Sequence, residues 1–114
     1  MVPRTTEHWD VVIHLVNEDA RPQDGWPKGM KVGDSVHFVS PDGEVKVEFK
    51  AQDPPGMLPF TGSEVEGAKG SHTVVNACKF MAYCFVKPRD KPDYIGWNSK
   101  DPRAGTQGHT GGGG

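Results

Sequence analysis

The sequence predicts an all-β fold, an antiparallel sandwich of short strands, and three observations carry that prediction. Fifteen glycines and ten prolines in 114 residues are too many helix breakers for a bundle, and they follow no collagen-like period. Apolar residues alternate with polar ones at a period of two, most cleanly in Glu44 to Lys50, which is the pattern of a strand with one buried face. Three Trp, five Phe and two Tyr are spread over the first hundred positions, enough to fill a thin core in a chain otherwise poor in hydrophobes. The length supports one core, so residues 1–97 are expected to form a single domain and residues 98–114 a tail.

Each element follows from its own pattern. Trp9 to Val16 places Trp9, Val11, Ile13 and Leu15 on one face of a first strand. Asn17 to Lys31, with two prolines and two glycines, reads as a loop anchored by Trp26. Asp34 to Ser40 and Glu44 to Lys50 flank Pro41-Asp42-Gly43. Proline presets a negative φ, aspartate bonds its own backbone and glycine accepts positive φ, so a hairpin is predicted there. Gln52 to Gly70 is turn chemistry around an apolar island of Met57, Leu58 and Phe60. Ser71 to Asn76 and Ala77 to Val86 give one long or two abutting strands, the second with Cys78, Phe80, Ala82, Cys84 and Val86 on an inward face. Pro88 ends it, and Tyr94 to Trp97 is the last segment able to pair. From Asn98 onward there is no large apolar residue and the chain finishes in four glycines, which predicts a flexible Gly-rich tail or linker.

Charge and cysteine usage narrow the function classes. Thirteen Lys and Arg against fifteen Asp and Glu leave a net charge of -2, so there is no basic field for a nucleic acid backbone or an anionic membrane. The segment Met1 to His8 lacks the apolar stretch of a secretory signal, and a cytoplasmic location with free thiols is the expectation. Cys78 and Cys84 are six residues apart; in one extended strand their Cα atoms stand about 20 Å apart, outside disulfide reach.

The strand led by Gly33-Asp34 (Val32 to Val39), the Val47-Glu48-Phe49 strand, the Pro59-Phe60 island and the late strand Phe80-Met81-Ala82-Tyr83-Cys84 occur in an order that resembles a cupredoxin. The resemblance covers roughly residues 9 to 97 and implies a two-sheet Greek-key sandwich. Copper-carrying members of that family use a His just before the Val-x-Phe strand, a Cys, a second His three residues later and a Met beyond. Matching those motifs, Val45 stands for the first imidazole, Cys84 for the thiolate and Lys87 for the second imidazole, and no Met follows Met81. Valine never ligates and a protonated lysine cannot, so the resemblance implies a copper-free domain with no cofactor.

The histidines His8, His14, His37, His72 and His109 form no close pair of zinc spacing, although a folded sheet bringing His37 or His72 to Cys84 would make a metal or thiol redox site. The carboxylates Asp42, Glu44, Glu48, Glu64 and Glu66 fall in turns or on the solvated strand face, and no nucleophile elbow, phosphate loop or dinucleotide fingerprint occurs. An enzyme is therefore not expected. The terminal glycines allow a second alternative, a tag conjugated through its C-terminus. The primary expectation is a non-catalytic binding or accessory module acting through protein contacts or self-association at an open strand edge. Its candidate contact residues are Trp26, Met57, Leu58, Phe60, Tyr94 and Trp97; the competing reading of the same aromatics is that they cap the core.

Overall fold

The computed structural model describes residues 6–16, 19–23, 25–96 and 105–112. Among the described residues, nine strands and one short 3-10 turn (Gly67–Lys69) make an all-β fold: β1 (His8–Val16), β2 (Asp19–Pro22), β3 (Ser35–Val39), β4 (Gly43–Asp53), β5 (Glu64–Glu66), β6 (His72–Thr73), β7 (Lys79–Pro88), β8 (Ile95–Gly96) and β9 (Thr106–His109). They form two sheets, one ordered β2-β1-β3-β6 and the other β5-β4-β7-β8, with β9 also paired to β7. None of the described helical segments is long and apolar enough to cross a membrane.

Period-two patterning explains how the sheets meet. Val11 and Ile13 of β1 and Val36 and Phe38 of β3 turn inward from one sheet. From the other come Val45, Val47 and Phe49 of β4 and Phe80, Ala82, Cys84 and Val86 of β7. The predicted inward faces of the first strand and of β7 are thus observed, with both cysteines buried and free. Phe38 and Phe49 stand 6.3 Å apart between ring centroids, and Phe49 and Phe80 5.2 Å. Burial of such rings is the main stabilising term of a core this thin.

The predicted hairpin is corrected. Although β3 and β4 are joined by Ser40 to Gly43, they lie in different sheets: β3 pairs with β1 in parallel and with β6, and β4 pairs with β5 and β7. Both strands bury the same kind of face, and bending the chain from one sheet to the other lets Val36 and Phe38 pack against Val45, Val47 and Phe49. The turn is pinned to its own sheet where the Asp42 carboxylate accepts the Leu15 amide at 2.9 Å. Gly43 is needed for close approach, since a Cβ there would run into the Lys87 carbonyl. The parallel β1-β3 pair also departs from the purely antiparallel expectation.

Two further segments differ from the sequence reading. The Asn17 to Lys31 stretch contains β2, paired antiparallel with β1 from Ile13↔Pro22 to Val16↔Asp19, and the Ser71 to Asn76 strand shrinks to His72–Thr73. The flexible-tail expectation for 98–114 is corrected over residues 105–112: β9 pairs with β7 from Lys79↔His109 to Ala82↔Thr106. Beyond β9, Cys78 and Thr110 exchange backbone hydrogen bonds of 3.1 and 2.8 Å, and the Gly111 amide donates to the Met30 carbonyl at 2.7 Å. Gly108 sits where a Cβ would fall 2.5 Å from Phe80 and 3.1 Å from Trp26. The missing side chain is what lets this strand cover two rings.

A buried carboxylate ties the molecule together at the start of β3. Asp34 is fully buried, accepts the Glu7 amide on Oδ1 at 2.9 Å, and accepts Trp9 Nε1 and the Lys31 amide on Oδ2 at 3.0 and 3.1 Å. Burial pushes its pKa up. The hydrogen bonds from Trp9, Glu7 and Lys31, with the Lys31 charge, outweigh that and hold the carboxyl below its usual range.

Candidate functional site

The β4-β7 ladder sets the outer face of the larger sheet. Its register places Glu44 opposite Lys87, Lys46 opposite Phe85, Glu48 opposite Tyr83 and Lys50 opposite Met81, and these are the side chains that alternate away from the core. Tyr83 is buried, whereas Phe85 and Tyr94, which immediately precedes β8, are half-buried. Lysines lie over the rings. Lys46 Nζ is 5.2 Å from the Phe85 centroid and 4.7 Å from that of Tyr94, Lys87 Nζ is 5.5 Å from Tyr94, and Lys50 Nζ is 5.3 Å from Tyr83. Each arrangement is within cation-π reach.

Charge is organised at one end of this face. Lys87 Nζ donates to Glu44 Oε2 at 2.9 Å, and that hydrogen bond and charge hold the Lys87 ammonium above its ordinary pKa. Burial and then the neighbouring Glu44 push the Tyr94 phenol up, so it stays protonated as a hydrogen-bond donor. Next to the ion pair is a cavity of about 520 Å³ lined by Gly43, Glu44, Lys87, Pro88, Arg89 and Lys91. The turn that shapes it is closed by the Lys91 amide on the Pro88 carbonyl at 3.1 Å. An arrangement of rigid rings, cations and one engaged carboxylate can bind and orient a partner.

The candidate contact residues separate into two groups. Trp26 meets Phe38 and Phe80 edge-on at 5.9 and 5.5 Å and donates Nε1 to Thr106 Oγ1 at 3.0 Å. Phe60 is buried against Phe38 and Phe49, and Leu58 packs on the core. For Phe60 the expected contact role is corrected: the ring fills the sandwich, because the segment around it folds under the smaller sheet's end and Val75 donates its amide to the Pro59 carbonyl. Met57 is exposed and follows the far end of β4 from Tyr94, so these two surface residues do not form one patch. Trp97 lies outside the described residues. Lys46, Phe85, Arg89 and Lys91 were not among the candidate contact residues. Alternation already put Lys46 and Phe85 on outward faces, but that β4 and β7 are neighbours was needed to merge them.

The residues of the metal alternative are kept apart. His37 projects from the outer side of β3, 3.9 Å from Asp10 Oδ1, while Cys84 points into the core, so the strand itself intervenes. His72 has its Nε2 at 3.0 Å from the Glu66 carbonyl and its ring against Phe38 and Phe60. Among the described residues no three His, Cys, Asp or Glu side chains gather as a metal site. Burial pushes the Cys84 thiol up to about 12, and the neighbouring Arg21 and Asp19 charges oppose one another. Burial likewise raises the Cys78 thiol, against a hydrogen bond with Thr110.

The positions matched to copper ligands do not fit a type 1 centre. Val45 and Cys84 both turn inward, with Val45 opposite Val86 and Cys84 opposite Val47. Lys87 turns outward to Glu44 and therefore does not stand beside the thiol. A soft cation would meet one protonated sulfur with no second ligand from the matched positions.

No family model, curated protein or solved structure matches this chain.

Proposed function

We propose that the chain is a non-catalytic binding module on a cupredoxin-like, copper-free scaffold, and that a protein partner docks on the outer face of the larger sheet around Phe85 and Tyr94. The strand orders β2-β1-β3-β6 and β5-β4-β7-β8, with β1 parallel to β3, support the Greek-key scaffold that the sequence motifs suggest. The observation that carries the binding role is the pair of half-buried rings, Phe85 and Tyr94, stacked under Lys46 and Lys87 on the paired strands β4 and β7. Aromatic anchors on a rigid platform lose little entropy on binding and dominate contact energies in known interfaces.

Strand addition has less support than face docking, since the outer strands β2, β5 and β6 are four, three and two residues long. The terminal glycines of the conjugated-tag reading, Gly113 and Gly114, lie outside the described residues, and Gly111 before them is bonded to Met30 and Val32. The thiol redox reading loses support because both sulfurs are buried with raised pKa values.

The test is affinity co-purification from the native cell extract with the double variant Lys46→Glu/Tyr94→Ser and, as a control on the opposite sheet, Val16→Ser, which changes the exposed end of β1. A partner retained by the wild type and by Val16→Ser but lost with the double variant supports the reading. Equal recovery with all three defeats it.

A further inference from the structure

The cavity beside the Glu44-Lys87 pair is lined by three cationic side chains, Lys87, Arg89 and Lys91, against one carboxylate. That carboxylate is already engaged by Lys87. Arg89 and Lys91 are exposed and form no ion pair among the described residues. Asp90 and Asp93 of the same loop do not line the cavity, so the alternation of charge along Arg89-Asp90-Lys91 is sorted in space with the cations on the cavity side. In a chain of net charge -2, the lining itself carries more cations than carboxylates, while Glu66 acts on Lys87, and Glu66 and Glu64 on Tyr94, from outside it; an anion at the lining meets the cations first.

We propose that this cavity receives an acidic peptide segment of the protein partner, an assignment that rests on the docking function above and specifies its chemistry. The volume of about 520 Å³ is in the range that takes several side-chain groups rather than one inorganic ion. The Arg89 guanidinium offers a planar fork to a carboxylate, and Lys91 adds a second point charge. Lys87 links the cavity to Tyr94, with its ammonium on Glu44 at 2.9 Å and over the Tyr94 ring at 5.5 Å. Acidic residues in the cavity would therefore bring their neighbours in the partner onto the aromatic platform.

The experiment titrates the full 15N-labelled chain with acetylated hexa-aspartate, with inorganic phosphate at matched charge as the second arm. Saturable amide shifts confined to Gly43, Glu44, Lys87, Arg89, Asp90 and Lys91 are expected, and phosphate at the same concentration gives none. Reversing two cations in Arg89→Glu/Lys91→Glu weakens the peptide about tenfold or more, as does raised salt. An absence of shifts, shifts elsewhere on the molecule, or a variant that binds within about twofold of wild type overturns the proposal. Equal shifts with phosphate also overturn it, making the cavity a small-anion site. Failure here with a partner still dependent on Lys46 and Tyr94 leaves the docking reading standing. Peptide binding without that dependence removes the docking reading and keeps the cavity's specificity for acidic peptide.

Discussion

Replacing Asp34 tests whether one buried carboxylate organises the entry to β3. Asp34→Ala removes acceptors for Trp9 Nε1 and for the Glu7 and Lys31 amides. A donor left buried and unpaired costs about 1–3 kcal/mol. Trp9 is half-buried and Glu7 exposed, so water recovers part of this, and a loss of about 3–5 kcal/mol is expected for the site. At about 4 °C per kcal/mol for a domain of this size, the melting temperature falls by about 12–20 °C. Asp34→Asn separates hydrogen bonding from shape: with its oxygen at the Oδ2 position it still serves Trp9 and Lys31, but its amide nitrogen then faces the Glu7 N–H, so it should fall between wild type and Asp34→Ala. Because the folded pKa lies below the ordinary one, the carboxylate's contribution is complete above the unfolded value of about 3.9 and is lost as pH falls through the lower folded value. Thermal unfolding followed by circular dichroism from pH 7 to pH 3 measures both. An Asp34→Ala melting point within about 2 °C of wild type at pH 7 would refute the reasoning.

Three other outcomes are expected. Gly108→Val drives a branched side chain into Phe80 and Trp26 and should cost about 1–3 kcal/mol by urea unfolding; an unchanged midpoint would mean that β9 does not lie against those rings. Cys84 should resist alkylation by iodoacetamide at pH 8 until the chain unfolds, since its thiol is pushed up to about 12 by burial. Being raised in the fold, that pKa contributes stability that is intact below the unfolded value of about 8.5 and declines as pH rises towards the folded one, so an unfolding midpoint that rises over that range refutes the assignment. The double variant Val45→His/Lys87→His supplies the imidazoles that the motif correspondence lacks, and should still give no intense blue thiolate-copper absorption on adding Cu(II). A saturable band of that kind would show that residue 87 can reach the sulfur.

What could be read from the residues and what could not divides along one physical line. Period-two alternation is local, so the inward faces of β1, β4 and β7 and the burial of both cysteines followed from the sequence alone. Partner choice between strands is not local. Ser40 to Gly43 has the composition of a hairpin turn, yet the turn residues only permit a reversal. Whether the two strands bond to each other or face each other depends on where Phe38 and Phe49 find their packing partners. The same distinction hid the proposed docking face, because Lys46 and Phe85 become neighbours only through the β4-β7 register.

Thr106–His109 shows the converse case, an element concealed because its packing works through an absence. Hydrophobic patterning cannot flag a strand whose contribution is a glycine lying across Phe80 and Trp26 and a hydroxyl, Thr106 Oγ1, that accepts Trp26 Nε1 and donates to the Ala82 carbonyl at 3.3 Å. Register also decides the fate of the matched copper positions. Cys84 and Lys87 are three apart, an odd separation, and along an uninterrupted strand an odd separation sends two side chains to opposite faces. A Cys and a ligand three residues later can share a metal only if the strand has ended between them. Here β7 continues to Pro88 with unbroken pairing from Ala51↔Phe80 to Gly43↔Pro88. The extra length places Lys87 on the Glu44 side, where it closes an ion pair and borders the cationic cavity. The same last residues of β7 that separate residue 87 from the thiol thus supply the charged end of the proposed docking face.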